Sequence, residues 1–523
     1  MYAMSFVGLI ISLALSVEAS SERPNFLLLF PDQWRFDWTP NPSLPNLQMP
    51  AFSSLQKKGT HFSHAFVPSP LCAPSRSCLA GGREYDFAGV PDNFSNDYPL
   101  NKTTFYTILK TAGYNVMTTG KDDLTKATGC GIDGSTHASA LGFSQWARCE
   151  GKEDAAGSTP HDPYGAWCSQ QSEVVNGKNL SFWEIYNADM KSCTSGVGAA
   201  GGYDCQQPSP LPQEAYEDDW VAEHAIGLLA NKPAGVPWFL QVSFPGPHPP
   251  FVVTGGMMNA TAGLKFPDAF DNPTLRHDVQ QTVRRDYAAE LMNLDGLFAR
   301  VIAALSPAEL ANTYIMVGSD HGEMLGDHAT WGKTMPWQGS VSVPLVILGP
   351  ELPAGATVGD PVSTMDIAGT VLDFAGLAPD TANGMTTVSL RPFLSPSPNA
   401  SAYRTHVSSG LSSWRAVVVT RESGMRLKLV CCRGRCPGQP GNATHPAEGG
   451  FVGDSGEDED RYPSALLGEG GSGKGRGADP TAPNTLLLFD IDADPFDMQD
   501  ISKSKPDAVR AMTAMLPTGW CGA

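Results

Sequence analysis

The chain has 523 residues, 41% hydrophobic and 17% charged, a globular composition that excludes an intrinsically disordered protein. The formal net charge of -19 excludes a binder of nucleic acid or of anionic membranes, which needs a basic face. An anionic substrate must then be drawn in by a local cluster of cations.

Residues 6–17 form an apolar run too short for a comfortable membrane span, and Val17 and Ala19 stand where a signal peptidase requires small residues. Residues 1–19 therefore read as a signal peptide, although no Lys or Arg precedes the run. The signal peptide implies the secretory pathway, with the product secreted or kept in a lysosome or vacuole, and no later stretch reads as a membrane span, so the mature protein is expected to be soluble. Six N-x-S/T sequons, at Asn93, Asn101, Asn179, Asn259, Asn399 and Asn442, fit a glycoprotein on that route. The cysteine count of 11 is odd. If Cys72 is consumed chemically, ten remain, enough for five disulfides. Cys130, Cys149, Cys168, Cys193 and Cys205 crowd into one loop-rich stretch, as in a stapled surface insertion. Cys431, Cys432 and Cys436 also admit a zinc reading, but adjacent thiols are awkward tetrahedral ligands.

Apolar, β-rich runs at 25–30, 114–118, 238–244, 314–317 and 343–348 predict strands. Stretches of helical period lie between them, at 51–58, 104–111, 217–229 and 283–305, and Ser306 with Glu309 marks a capping box. The expected fold is α/β: a large mixed, mostly parallel sheet sandwiched by helices, within a catalytic domain at 20–390. A Cys-rich insertion occupies about 127–215. Beyond 390 the texture changes. Runs at 403–408, 416–419, 427–430 and 485–490 predict a smaller C-terminal antiparallel-sheet subdomain at 391–523, interrupted by a flexible Gly/acidic loop at about 434–483.

In a parallel sheet, ligands collect beyond the carboxyl ends of the strands. Asp32 follows the first predicted strand, Lys121 the second, His248 the third, and Asp320 with His321 the fourth. The most specific segment is PLCAPSRSCLAGGR, residues 70–83. Pro74 suits the first turn of a helix, which puts Cys72 at a helix N-terminus, a place that favours anions.

This segment resembles the signature of the formylglycine-dependent sulfatases, of the alkaline phosphatase superfamily, through Cys72, Pro74, Ser75, Arg76, Gly82 and Arg83. The resemblance implies that Cys72 is converted to formylglycine by the formylglycine-generating enzyme. One hydroxyl of the hydrated aldehyde attacks sulfur, and the other expels sulfate from the sulfo-enzyme. It also implies one divalent metal held by Asp32, Gln33, Asp320, His321 and an oxygen of the modified Cys72. Calcium suits so oxygen-rich a set, while His321 also admits manganese or magnesium. Many sulfatases have Asp where Gln33 stands and Asn where His321 stands. DQWR at 32–35 and SDHGEMLGDH at 319–328 are similar to the branch shared with bacterial sulfatases and phosphonate monoester hydrolases.

Arg76, Lys121, His248 and Lys333 match charge-stabilising positions of the family, and His248 a histidine that protonates the leaving oxygen. Where most sulfatases have His two residues after the lysine, GKDDL places Asp123. That GK-x-D pattern resembles the arylsulfatase K branch, which acts on a sulfated uronic acid. Asp123 serves there either as a base or to hold a neighbour. His328 is either near the chemistry or structural. LLLFDIDADPFDMQDIS at 486–502 resembles the family's closing segment. The expected function is hydrolysis of a sulfate ester, of a sulfated carbohydrate by preference. The same nucleophile and metal also suit a phosphodiester or phosphonate monoester hydrolase, and a non-catalytic binder of sulfated glycans is the third reading.

Overall fold

The computed structural model describes residues 23–194, 203, 205, 207–272, 276–395, 401, 403–421, 424–438 and 483–522. The signal peptide, two of the sequons (Asn399 and Asn442) and most of the Gly/acidic loop lie outside them.

In chain order the first strands are β1 (Asn25–Leu29), β2 (Thr60–Phe66), β3 (Asn115–Lys121), β4 (Gln145–Cys149), β5 (Ser172–Val175), β6 (Lys178–Ser181) and β7 (Trp238–Ser243). They are followed by β8 (Thr313–Val317), β9 (Ser342–Leu348), β10 (Ala356–Val358) and β11 (Val362–Ser363). The last are β12 (Val407–Leu411), β13 (Trp414–Thr420), β14 (Arg426–Cys432) and β15 (Thr485–Asp490). The large sheet runs β10-β2-β9-β8-β1-β7-β3-β4, with β11 also on β2. Only β9 runs against its neighbours β2 and β8 among these pairings. The mostly parallel α/β sheet expected from the sequence is the observed one.

Alternation along β1 shows why both faces are covered. Phe26 and Leu28 point into one apolar core, Leu27 and Leu29 into the other. Helix Phe105–Thr111 and helix Asp366–Phe374 fill the first core; helix Glu217–Ala230 and helix His277–Ala303 fill the second. The Ser306–Glu309 capping box is present, starting helix Pro307–Ala311. The C-terminal sheet is antiparallel, β12-β13-β14-β15, with β12 slightly C-terminal to its expected position.

Three expectations are corrected. The insertion is not only surface: its segment Gln145–Cys149 is the edge strand β4, paired parallel to β3. The cysteines do not make five disulfides among the described residues. Three bridges form, Cys193–Cys205, Cys431–Cys521 and Cys432–Cys436, while Cys78, Cys130, Cys149 and Cys168 are buried thiols, as is Cys72. Asn93 is no place for a glycan: it is 1% exposed and its Oδ1 accepts from the Ala73 N–H at 2.9 Å. Asn101, Asn179 and Asn259 are exposed.

Candidate functional site

The neighbours β8-β1-β7-β3 run in the same direction, so the residues following them meet on one edge. Asp32, Lys121, His248, Asp320 and His321 are brought together there, as the strand-end rule requires. The loop after β1 is fastened to the loop after β7, the Asp32 N–H donating to Phe244 O (2.9 Å) and Gly246 O (3.2 Å). Gly120 permits the approach of β3 to β7: its φ is +83°, and a Cβ would stand 1.9 Å from Ser243 O.

Cys72 opens helix Cys72–Gly81 and is 0% exposed. Leu71 offers no capping side chain, and Asn93 takes that role from outside by accepting the Ala73 N–H. Arg76 lies four residues on and so shares the helix face of Cys72. Its Nε donates to Asp320 Oδ2 at 2.8 Å, and Nη2 stands 3.5 Å from Asp32 Oδ2. Ser75 Oγ donates to Asp320 O at 2.6 Å, tying the same helix to the strand-end loop.

Around Cys72 Sγ stand Lys333 Nζ at 2.9 Å, His321 Nε2 at 3.2 Å, Lys121 Nζ at 3.7 Å and Asp32 Oδ1 at 4.0 Å. Ligand atoms of Asp32, Cys72, Asp320 and His321 all lie within 4.8 Å of one another. Gln33 has φ +68°, and its N–H donates to Asp320 Oδ1 at 3.0 Å. Its amide nitrogen donates to Glu323, which leaves the amide oxygen buried with no hydrogen-bond partner. Two carboxylates, an imidazole and an orphaned amide oxygen fit a divalent cation chemically.

Charge is balanced closely here. Burial works to raise the Asp32 pKa, but Lys121, His248, Lys333 and Arg76 together hold it well below the usual carboxylate range. Burial, with Lys333 and Lys121 beside it, pushes His248 well below an ordinary histidine. The neutral ring accepts at Nε2 from Lys333 Nζ (2.7 Å), while Nδ1–H faces Pro249 O. Asp123, with φ +53°, places Oδ2 3.5 Å from Lys121 Nζ and Oδ1 3.8 Å from Lys126 Nζ. His328 sits with the C-terminal segment, its Nε2 donating to Phe496 O at 2.7 Å.

All ten residues singled out from the sequence converge. Sequence reasoning missed Asn93, Glu323 and the supports of the His248 loop. Gly246 N–H donates to Asp218 Oδ1 (2.8 Å), and Lys152 from the insertion donates to Pro250 O (3.4 Å) while pairing with Glu290 (2.6 Å). Only the tripled acid EDD at 217–219 hinted at this cluster.

The sulfatase family profile matches residues 24–377, more than half of the chain. The chain belongs to the sulfatase family. This sulfatase is 24% identical over 395 residues to an arylsulfatase of Clostridium perfringens, covering 70% of this chain and 77% of that one. It is 27% identical over 391 residues to arylsulfatase K of Danio rerio, covering 72% and 69%. Two solved structures share the fold. Phosphonate monoester hydrolase of Agrobacterium radiobacter aligns with TM-score 0.66 at 21% identity, covering 94% of each chain. BT4656, solved with its substrate D-glucosamine-2-N,6-O-disulfate, aligns with TM-score 0.64 at 16% identity, covering 94% of this chain and 97% of that one. The sulfatase is thus an enzyme, a sulfuric ester hydrolase. Among the described residues no helix is long and apolar enough to cross a membrane.

The acid cluster behind the site makes a pH prediction. Burial, with Asp162 and Asp218 adding to it, pushes the Glu217 carboxyl up to about 8, and burial pushes Glu290 to about 8 against the pull of Lys152. A hydrogen bond from His161 to Glu150 raises that histidine to about 9. Each group binds its proton more tightly folded than unfolded. The stability so gained is complete below the unfolded values of 4.5 and 6.5 and is lost as pH rises through 8 to 9. Histidines with lowered values, such as His321 at about 4, no longer change above 6.5. The sulfatase should therefore melt several degrees lower at pH 9 than at pH 6.5, and Glu217→Gln should flatten that slope. Thermal melts across this range check it; an equal slope in wild type and variant would sink it.

Proposed function

We propose that this sulfatase removes a terminal sulfate from a sulfated carbohydrate, through a formylglycine made from Cys72 and one divalent ion, Ca2+ by preference. The carrying observation is the position of Cys72: at a helix N-terminus, with two lysines, an arginine and a four-donor cation site within reach of one another. The modified side chain would take the place of the Cys72 thiol. Asp32, Gln33, Asp320 and His321 would hold the ion, which supplies positive charge to the sulfuryl oxygens and acidifies the nucleophilic hydroxyl. The hydrated aldehyde supplies that hydroxyl and a second one on the same carbon.

The chain's own residues do the rest. Arg76 holds Asp32 and Asp320 in place on one side, and Lys121 lies 2.8 Å from Asp32 Oδ2. Lys121 and Lys333 flank the nucleophile and aim fixed charge at the sulfuryl oxygens. Lys333 and His248 hold one proton across 2.7 Å, positioned for the leaving oxygen. Asp123 acts as the counter-charge of Lys121 and Lys126, holding the first lysine toward Cys72. A compact cationic pocket in an acidic protein favours a single terminal anionic group over a long polyanion. The GK-x-D pattern and the likeness to arylsulfatase K direct the choice to a sulfated uronic acid or a related sugar. The 127–215 insertion, which reaches the His248 loop through Lys152, sets preference among sugars. The secretory pathway, with lysosome, vacuole or exterior as destination, fits the disulfides and the apolar leader.

A panel of defined sulfated mono- and oligosaccharides, an aryl sulfate and an aryl phosphodiester tests this reading. Sulfated sugars should turn over fastest and the aryl sulfate more slowly. Faster cleavage of the phosphodiester than of every sulfate would move the assignment to the phosphonate monoester and phosphodiester hydrolases.

A further inference from the structure

Lys333 stands in a stretch that has no helix or strand of its own before helix Gln338–Val341. The backbone groups of such a segment must find their hydrogen-bond partners elsewhere, and those partners fix where the segment lies. Ahead of Lys333, Gly332 is held within the family domain, its N–H donating to Glu323 Oε1 (2.6 Å) and its O accepting from Met324 N–H (2.8 Å). After Lys333, further contacts come from the C-terminal sheet and the closing segment, outside the 24–377 matched to the family. Trp414 Nε1 on β13 donates to Thr334 O at 2.9 Å. Lys428 Nζ on β14 donates to Pro336 O at 2.9 Å. Asp497, in the closing segment, accepts from Gln338 N–H at 2.7 Å. Three alternate residues after Lys333 are thus each held from the same side. On the other side Thr334 N–H donates to Pro70 O (3.0 Å), two residues before Cys72. Thr334 has φ +75°, a conformation that persists in a non-glycine residue only where the surroundings fix it.

Lys428 and Asp497 form an ion pair with both side chains 0% exposed. A pair so buried is a poor device for stability, since apolar residues of like volume do as well or better. This pair instead fixes two backbone groups, at Pro336 and Gln338, in one register.

We propose that Trp414, Lys428 and Asp497 are positioning residues for the reaction, holding the Lys333 ammonium between Cys72 and His248. The proposal rests on the reading of Lys333 as a charge-stabilising residue. It makes the C-terminal sheet a part of the catalytic apparatus rather than an appendage. Lys333 Nζ lies 2.9 Å from Cys72 Sγ and 2.7 Å from His248 Nε2, so a shift of the segment breaks both contacts together.

The test uses the full-length matured enzyme with an aryl sulfate. Trp414→Phe keeps an aromatic six-membered ring and deletes the pyrrole part of the indole with its N–H. Lys428→Met with Asp497→Asn removes both charges and keeps an acceptor for Gln338 N–H. Each should lower kcat roughly 10- to 100-fold, as misplacement of a catalytic group does, and move KM by less than about twofold. In a Lys333→Ala background the same changes should lower kcat no further, the mark of groups acting through Lys333. Unchanged kcat in both variants, or an equal loss with and without Lys333, would overturn the proposal. If Lys333→Ala alone keeps wild-type kcat, the reading of Lys333 fails first, and that result is seen without any C-terminal variant. Should the paired variant fail to fold, Trp414→Phe decides alone.

Discussion

Cys72→Ala should abolish turnover of every sulfate ester while leaving a folded protein with wild-type secondary structure. The side chain is small, so its loss removes one sulfur from a polar site, where no apolar packing is at stake: Sγ is surrounded by Lys333, Lys121, His321 and Asp32. Removing the nucleophile of a covalent mechanism costs on the order of 10^6 in kcat where the residues act as a unit. Cys72→Ser should be nearly as inactive. Serine offers one hydroxyl and no second oxygen on the same carbon, and it bypasses the conversion of the thiol. Mass spectrometry of the peptide carrying residue 72 should find formylglycine in the wild type and unmodified side chains in both variants. Wild-type turnover by either variant would refute the assignment of Cys72, whatever the peptide mass shows.

The parts of this site that were legible in the sequence are those that one parallel sheet brings together. Asp32, His248 and Asp320 each follow an apolar strand and Lys121 ends one, and parallel neighbours place such residues on one edge without any knowledge of contacts. Helix Cys72–Gly81 was legible because Pro74 permits a helix only near its start. Strand β2 was not, because THFSHAF carries two histidines and alternates only in part, yet it is flanked by β9 and β10 and held by them. Asn93 was misread as a sugar acceptor, since a local triplet says nothing of burial. In the structure it is 1% exposed and caps the catalytic helix. The cysteines show the same gap. Parity counts thiols but cannot place them, and Cys78 is a buried thiol on helix Cys72–Gly81 with no bridge among the described residues. Lys428 and Asp497 meet across 69 residues, a pairing no periodicity encodes.

Asp320→Ala should remove both metal and activity, and Asp320→Asn should separate the two causes. Asp320 is held by several partners: Oδ1 accepts from Gln33 N–H (3.0 Å), His321 N–H (2.9 Å) and Ser319 Oγ (3.5 Å), Oδ2 from Arg76 Nε (2.8 Å), and its backbone oxygen from Ser75 (2.6 Å). The alanine variant leaves Arg76 buried with one carboxylate lost, and breaking a buried pair costs about 3–5 kcal/mol of stability. Its melting temperature should therefore fall with its activity, and inactivity alone would prove little. Asparagine keeps an oxygen acceptor and the volume but removes the negative charge. If the charge holds a divalent ion beside Asp32 and His321, the asparagine variant should remain folded, bind the metal at least tenfold more weakly, and regain part of its turnover when the ion is added in excess. Equilibrium dialysis with Ca2+, Mn2+ and Mg2+ on wild type and variant measures this directly, apart from any assay of turnover. The wild type should hold one ion per chain. Pure active enzyme with no stoichiometric divalent ion would refute the metal site. Equal affinity in wild type and Asp320→Asn would place the ion elsewhere, and Asp32 and Asp320 would then serve only to balance the charge of Arg76 and the lysines.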